Sequence, residues 1–343
     1  MKVLILGGTG TISREIVRQL LEKGHRVVVY NRGNRKCPCE QDIQVLHGDR
    51  RDRADFAEKM ARINVDAVID MIAYDQVDAR QTWEVFHGRT GQIIVTSSIA
   101  AYQRPYRSYP VREDMEVLSR QPEFSYGFQK AEMERFLQER MGQGSTPITI
   151  LRPSLTFGNG TENFGILRQN RNVVRRIREG RPLVMVGEGV IPWSFTFAPD
   201  LASAYVLSCG NKNTYNRCFH VTNTELVMWE DLYRAVGAAV GKQPDLCYIP
   251  SALLREFDPK VCGHLYFEKV HFSLFSIEKF QKAVPEYQPE IGLNRGVSQL
   301  IRWWEESDFP YDEKKDALED QICALYGRFK SELLSLADGG RRA

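Results

Sequence analysis

Two serines, a tyrosine and a lysine carry the clearest chemistry in this 343-residue chain. Ser97-Ser98 follows a short apolar run, Ile93-Ile-Val-Thr96, and Tyr126-Gly-Phe-Gln-Lys130 opens a helical pattern 28 residues after Ser98. A Tyr and a Lys four positions apart lie on one face of a helix. The lysine ammonium lowers the phenol from its usual value of about 10, so the phenol can act as acid or base near neutrality. A serine hydroxyl beside it can hold the oxygen of a reacting carbonyl or alcohol.

A second group could hold a phosphate. Gly7-Gly8-Thr9-Gly10-Thr11-Ile12-Ser13 joins the apolar run Val3-Leu-Ile-Leu6 to a helical pattern. Gly7 suits a tight turn, Gly10 lets backbone approach a pyrophosphate, and the helix N-terminus behind them offers free N–H groups and a positive dipole end. Ser13 stands where a third glycine would, so somewhat looser helix–strand packing is expected there. Asn31-Arg32 follows the second strand, where NAD sites place Asp or Glu on the ribose hydroxyls. An arginine there can pair with a 2′-phosphate, so NADP is preferred over NAD as the expected cofactor. Asp49, in His47-Gly-Asp49-Arg50, is a candidate for the adenine amino group, or else a helix N-cap.

These residues need a framework that brings them together. Val3–Leu6, Val27–Tyr30, Gln44–Leu46, Ala67–Asp70, Ile93–Thr96 and Ile148–Leu151 read as six short strands. Residues 12–23 show a helical face of Ile12, Ile16, Val17, Leu20 and Leu21, closed by Gly24. Strand–helix alternation predicts an α/β fold, a Rossmann-type doubly wound parallel sheet. Beyond residue 165 the pattern is less regular, with helical stretches at 166–180, 200–209, 229–241, 294–306 and 312–337. This predicts a nucleotide domain over 1–165 that the chain re-enters at about 193–225. A smaller mixed α/β substrate lobe spans 166–192 and 226–310, and a C-terminal helix lies in 311–343.

Composition narrows the class. Lys plus Arg is 46 and Asp plus Glu is 44, a net charge of +2 that gives no case for nucleic acid or an anionic membrane. No apolar run approaches the ~18 residues of a membrane span. No cationic region precedes Val3–Leu6, so no signal peptide is expected. Seven scattered cysteines predict reduced thiols in a cytoplasmic protein. Six histidines without HxH or HExxH spacing predict no metal site.

Taken together, GGTGTIS, SSIAAY, YGFQK and LRPSLTFGNG resemble an extended short-chain dehydrogenase/reductase of the NAD-dependent epimerase/dehydratase group. The resemblance runs over about residues 1–305, with Phe195-Thr-Phe-Ala-Pro-Asp200 and Phe219-His-Val-Thr-Asn matching later segments. It implies that Gly7, Thr9, Gly10, Thr11 and Ile12 hold the pyrophosphate, and that Asp49 and Arg50 flank adenine. Ile72 and Ala73 line the far ribose side, and Thr96, Tyr126, Lys130 and Pro153 surround the nicotinamide and its ribose. Ser98, Tyr126 and Lys130 are the implied catalytic set. The family usually dimerises through two helices. Four positions depart from its pattern: Ile99-Ala100 replace the Asp-Glu of dehydratases, Gln103 replaces a glycine, and Asn31 replaces the acid that favours NAD.

Arg168, Arg171, Arg175, Arg176, Arg178 and Arg181 crowd one stretch, either a solvated helix face or, as the resemblance implies, a diphosphate-binding surface. Arg175 and Trp193 join Ser98 as candidate substrate residues, Trp193 by stacking on a ring. An apolar stripe over residues 319–337 covers the body or a subunit interface. The leading expectation is an NADP-dependent oxidoreductase acting on the carbonyl or alcohol of a sugar or nucleotide sugar, with Tyr126 moving the proton. The alternatives are a nucleotide-sugar 4-epimerase with tightly held NAD, and a non-catalytic cofactor-sensing or RNA-binding relative.

Overall fold

The computed structural model describes residues 1–37 and 39–340, with side chains to Leu336. Each of the six expected strands forms: β1 Lys2–Leu6, β2 Arg26–Asn31, β3 Gln44–His47, β4 Ala67–Asp70, β5 Ile93–Thr96 and β6 Ile148–Arg152. Arg217–His220 pairs parallel to β6 and completes a seven-stranded sheet in the order Arg217–His220, β6, β5, β4, β1, β2, β3. Every pairing is parallel. Strand order reverses beside β1, and crevices at the strand C-termini open at such a reversal.

The continuous apolar runs are explained by two buried faces. Val3, Ile5, Val27, Val29 and Ile69 pack on one side with residues of α1, Thr11–Glu22, and of a later helix, Ala198–Ser208. Leu4, Leu6, Val28 and Val68 point the other way. There they meet Phe56 and Met60 of α2 (Arg53–Ala61), Ala79 and Phe86 of α3 (Gln76–Phe86), and Met133 and Phe136 of α4 (Ser125–Gln138).

The chain divides into two compact units. The first comprises Met1–Gly160, Ser194–Glu225 and Ser273–Gly292; the second comprises Thr161–Trp193, Leu226–Phe272 and the chain from Leu293 on. Residues 273–292, expected with the second lobe, thus pack on the nucleotide unit. Val111 donates to Leu274 O and accepts from Ser276 N, and Phe280 and Tyr287 join the core of Phe219. In the second unit, Leu183–Val186 pairs parallel with Leu246–Ile249 among helices that include α5, Asn172–Glu179. The helix expected over 166–180 is shorter, because Arg168 and Asn170 turn the chain with φ of 58° and 55°. The C-terminal helix spans Glu313–Gly340, and residues 341–343 of the expected segment lie outside the described residues.

Candidate active site

A cavity of about 800 Å³ opens at the C-terminal ends of β1–β4. Its lining includes Gly7, Thr9, Gly10, Thr11, Ile12, Asn31, Arg32, Asp49, Arg50 and Ile72. The glycine loop lines one end of this cavity. Gly8 has φ of +102°, and a Cβ there would stand 2.4 Å from the Val29 side chain, so this loop lies flat against β2. Ser13 does more than replace a glycine. Its Oγ accepts from the Gly8 and Gly10 amides at 3.2 and 3.0 Å, bracing the loop and capping α1. The first-turn amides of α1 then face the cavity end, where a helix leaves its N–H groups unpaired.

Asn31 closes the end of β2: its Oδ1 accepts from Gly33 N at 2.7 Å and lies 3.2 Å from His47 Nδ1. Arg32 and Arg51 are exposed residues of the cavity lining. Arg51 was not anticipated; its signal lay in the arginine pair Arg50-Arg51 directly after Asp49. The Asp49 carboxylate accepts from Arg51 N at 2.9 Å, while Asp52 caps α2. Asp49 is therefore a lining residue and not the N-cap.

Arg50 lines the cavity beside Asp49 and is also anchored behind it. Its guanidinium is buried, forked onto Asp70 at 3.0 and 3.2 Å, and donates to Asp78 O and Thr82 Oγ1. These bonds stiffen the cavity wall that Arg50 lines. Asp70 also accepts from Ile72 N at 3.0 Å and Ala73 N at 2.8 Å. This shapes the turn after β4, a role the sequence did not announce.

The turn after β4 leads to the lysine. Lys130 Nζ donates to Ala73 O at 2.7 Å and to Thr96 O at 2.9 Å. Burial pushes its ammonium down to about 8, against the pull of Asp70 and Glu134 upward. An ammonium has three donors, so one is left for a further acceptor. Tyr126 stands one turn earlier on α4, 39% exposed, its ring 5.9 Å from that of Tyr74. Tyr74 lines the cavity and had not been singled out from sequence. Ser98 caps a short turn over Ile99–Ala101: its Oγ accepts from Ala100 N at 3.1 Å, leaving its own O–H to donate elsewhere. Pro153 O accepts from Ile99 N, tying the end of β6 to the same turn. Beneath this level, Ser97 Oγ donates to Glu134, which pairs with Arg152; Arg152 also donates to Tyr102 Oη.

The two second-unit candidates are occupied. Arg175 is forked onto Glu313 at 2.8 and 3.0 Å and reaches Asp316 at 2.9 Å. Its neighbour Arg176 is wholly buried among Asp316, Glu319 and Asp320. Arg175, Arg176 and Arg181 thus fasten the C-terminal helix and are not an open diphosphate surface. Trp193 is buried against Trp229, ring centroids 5.0 Å apart, with Lys269 Nζ 4.9 Å above it. A ring so covered has no face for substrate.

Among the described residues, no group of three or more His, Cys, Asp or Glu is gathered as a metal ion would require. No helix is long and apolar enough to cross a membrane.

Residues 3–218 match the model of the NAD dependent epimerase/dehydratase family. The chain is 23% identical over 303 residues to a 2′-dehydrokanamycin reductase of Streptomyces kanamyceticus, covering 88% of this chain and 84% of that one. It is 25% identical over 316 residues to a chloroplast stem-loop binding protein of Arabidopsis thaliana, covering 87% and 77%. It shares its fold with a UDP-glucose 4-epimerase of Thermotoga maritima, with a TM-score of 0.71, 16% identity and coverage of 90% and 99%.

Proposed function

The chain belongs to the NAD-dependent epimerase/dehydratase family of enzymes, and from that premise we propose that it is an NADPH-dependent reductase of a carbonyl on a sugar or nucleotide sugar. The observation that carries this reading is the adenosine end of the cavity. Asn31 spends its amide oxygen on the turn, no carboxylate follows β2 before Glu40, and Arg32 and Arg51 border the space. Two guanidinium groups favour a 2′-phosphate, which an acid at this place would repel. A reductase releases its oxidised cofactor each cycle, and NADPH is the nucleotide suited to net reduction. The relative named as a reductase supports the same direction.

When bound, the nicotinamide supplies the hydride. Gly7, Thr9, Gly10, Thr11 and Ile12 would hold the pyrophosphate, and Ile72, Ala73, Thr96 and Pro153 would frame the nicotinamide end. Lys130 offers its third donor to the ribose there. Ser98 donates its O–H to the carbonyl oxygen of the substrate, and Tyr126 Oη gives that oxygen its proton. The aromatic contact with Tyr74 limits the swing of the Tyr126 ring.

Titration of NADPH and NADH into the wild type and into Arg32→Ala and Arg51→Ala tests the reading. At least tenfold tighter NADPH binding is expected, with each variant losing most of that preference and keeping its affinity for NADH. Tight NAD released on denaturation, with no preference for NADPH, would replace the reductase by an epimerase. Failure to bind either nucleotide would leave the stem-loop-binding relative as the better guide.

A further inference from the structure

A second cavity, of about 930 Å³, lies in the nucleotide unit and shares no lining residue with the first. Its walls come from the segment after Tyr102, the C-terminal end of α4 and the start of the edge strand Arg217–His220. Arg107, Arg120, Arg217 and Lys279 all line it. The placement of the neighbouring acids decides what these cations can do. Glu116 accepts from the backbone of Arg107 and Ser108, holding the loop, and Glu113 accepts from His220 N at 2.8 Å. Lys279 Nζ donates to Cys218 O at 2.8 Å and Arg217 to Asn213 O at 2.9 Å, both neutral carbonyls. The Arg107 and Arg120 guanidinium groups are exposed and meet no carboxylate among the described residues. The floor, Tyr102 and Arg152, is fixed by the pairing of Arg152 with Glu134.

Glu113 and Glu116 line the same concavity, but their carboxylates accept from backbone amides. The four positive groups form no ion pair with either among the described residues, so they leave the lining net positive and favour an anion among them. A volume near 930 Å³ falls in the range of small-molecule sites. Guanidinium forks select phosphate geometry. We propose that this cavity is a binding site for a phosphorylated small molecule, separate from the nucleotide cleft. Its phosphate lies among Arg107, Arg120, Arg217 and Lys279.

Inorganic pyrophosphate is the probe, titrated calorimetrically at low ionic strength into full-length protein saturated with whichever nicotinamide nucleotide it binds. Saturation keeps the probe off the glycine loop, so this test is read apart from the cofactor assignment. The wild type is expected to show one further site. The double variant Arg107→Ser/Arg120→Ser is expected to bind pyrophosphate at least tenfold more weakly while its nucleotide affinity stays within twofold, which also reports that it has folded. The charge reversal Arg120→Glu should lose binding further. No pyrophosphate binding in the saturated wild type, or undiminished binding in the double variant, overturns the proposal.

Discussion

Gly127 lies so close to the Ala100 carbonyl that a Cβ on it would stand 2.4 Å from that oxygen. Ala100 belongs to the turn capped by Ser98, and Gly127 sits between Tyr126 and Lys130 on α4. The glycine therefore sets how near the tyrosine comes to the serine. Gly127→Ala forces the first turn of α4 away from the Ser98 turn, and a displacement of about 1 Å costs on the order of a hundredfold in rate. We expect kcat to fall about 10–100-fold with cofactor affinity little changed, and stability to drop by about 1–3 kcal/mol. Gly327, in the exposed C-terminal helix, has nothing within 4 Å of its notional Cβ. Gly327→Ala should raise stability by about 0.5–1 kcal/mol, with both variants measured by urea titration. Equal effects at the two sites would show that the contact with Ala100 does not govern the site.

Tyr126→Phe removes one hydroxyl and keeps the ring against Tyr74. If Tyr126 Oη delivers the proton, turnover falls at least about 100-fold, the usual contribution of a positioned acid. NADPH affinity should remain within about twofold, because the ring and its neighbours stay in place. Single-turnover reduction followed by loss of NADPH absorbance separates the two effects. Turnover within a few-fold of the wild type would move the proton donor elsewhere.

Lys130 sets the expected pH dependence. Its ammonium, pushed down to about 8 by burial, is charged below that pH and loses its proton as pH rises through it. The neutral amine makes weaker hydrogen bonds to Ala73 O and Thr96 O and removes the positive charge near Tyr126. A falling alkaline limb in kcat/KM is therefore expected near pH 8. In Lys130→Met activity should be low and this limb missing. A limb of unchanged position in that variant would assign it to another group.

How much of this was legible depended on range along the chain. The parallel sheet was readable because strands buried on both faces appear as unbroken apolar runs, Val3–Leu6 and Ala67–Ile69 among them. The Tyr126–Lys130 pair was readable because a helix fixes what four residues of separation mean. Arg50 could not be read locally: Asp70, which claims its guanidinium, lies on another strand. Glu134 likewise looked like one more helix acid until Ser97 and Arg152 closed on it. The arginines of 171–181 looked free because their carboxylates sit in residues 305–320, more than a hundred positions on. Residues 273–292 were misplaced for the same reason, since their bridge to Val111 has no sequence signal.

The arginine cluster yields a direct contrast between buried and exposed charge. Arg176 is fully buried and donates to Pro182 O, Asp316 and Asp320, with Glu319 at 3.4 Å. Arg178, half exposed, pairs with Glu305 at 2.6 Å. Removing the buried guanidinium leaves Glu319 buried without its ion-pair partner, which costs about 3–5 kcal/mol. Removing the exposed one costs about 0–1 kcal/mol. Arg176→Met should therefore lower the urea midpoint strongly and Arg178→Met hardly at all. Neither substitution touches the nucleotide cleft, so NADPH affinity measured in buffer should be unchanged for both. A reading in which these arginines hold the diphosphate of a substrate predicts the reverse, a raised KM and normal stability, and the pair of measurements decides between the two.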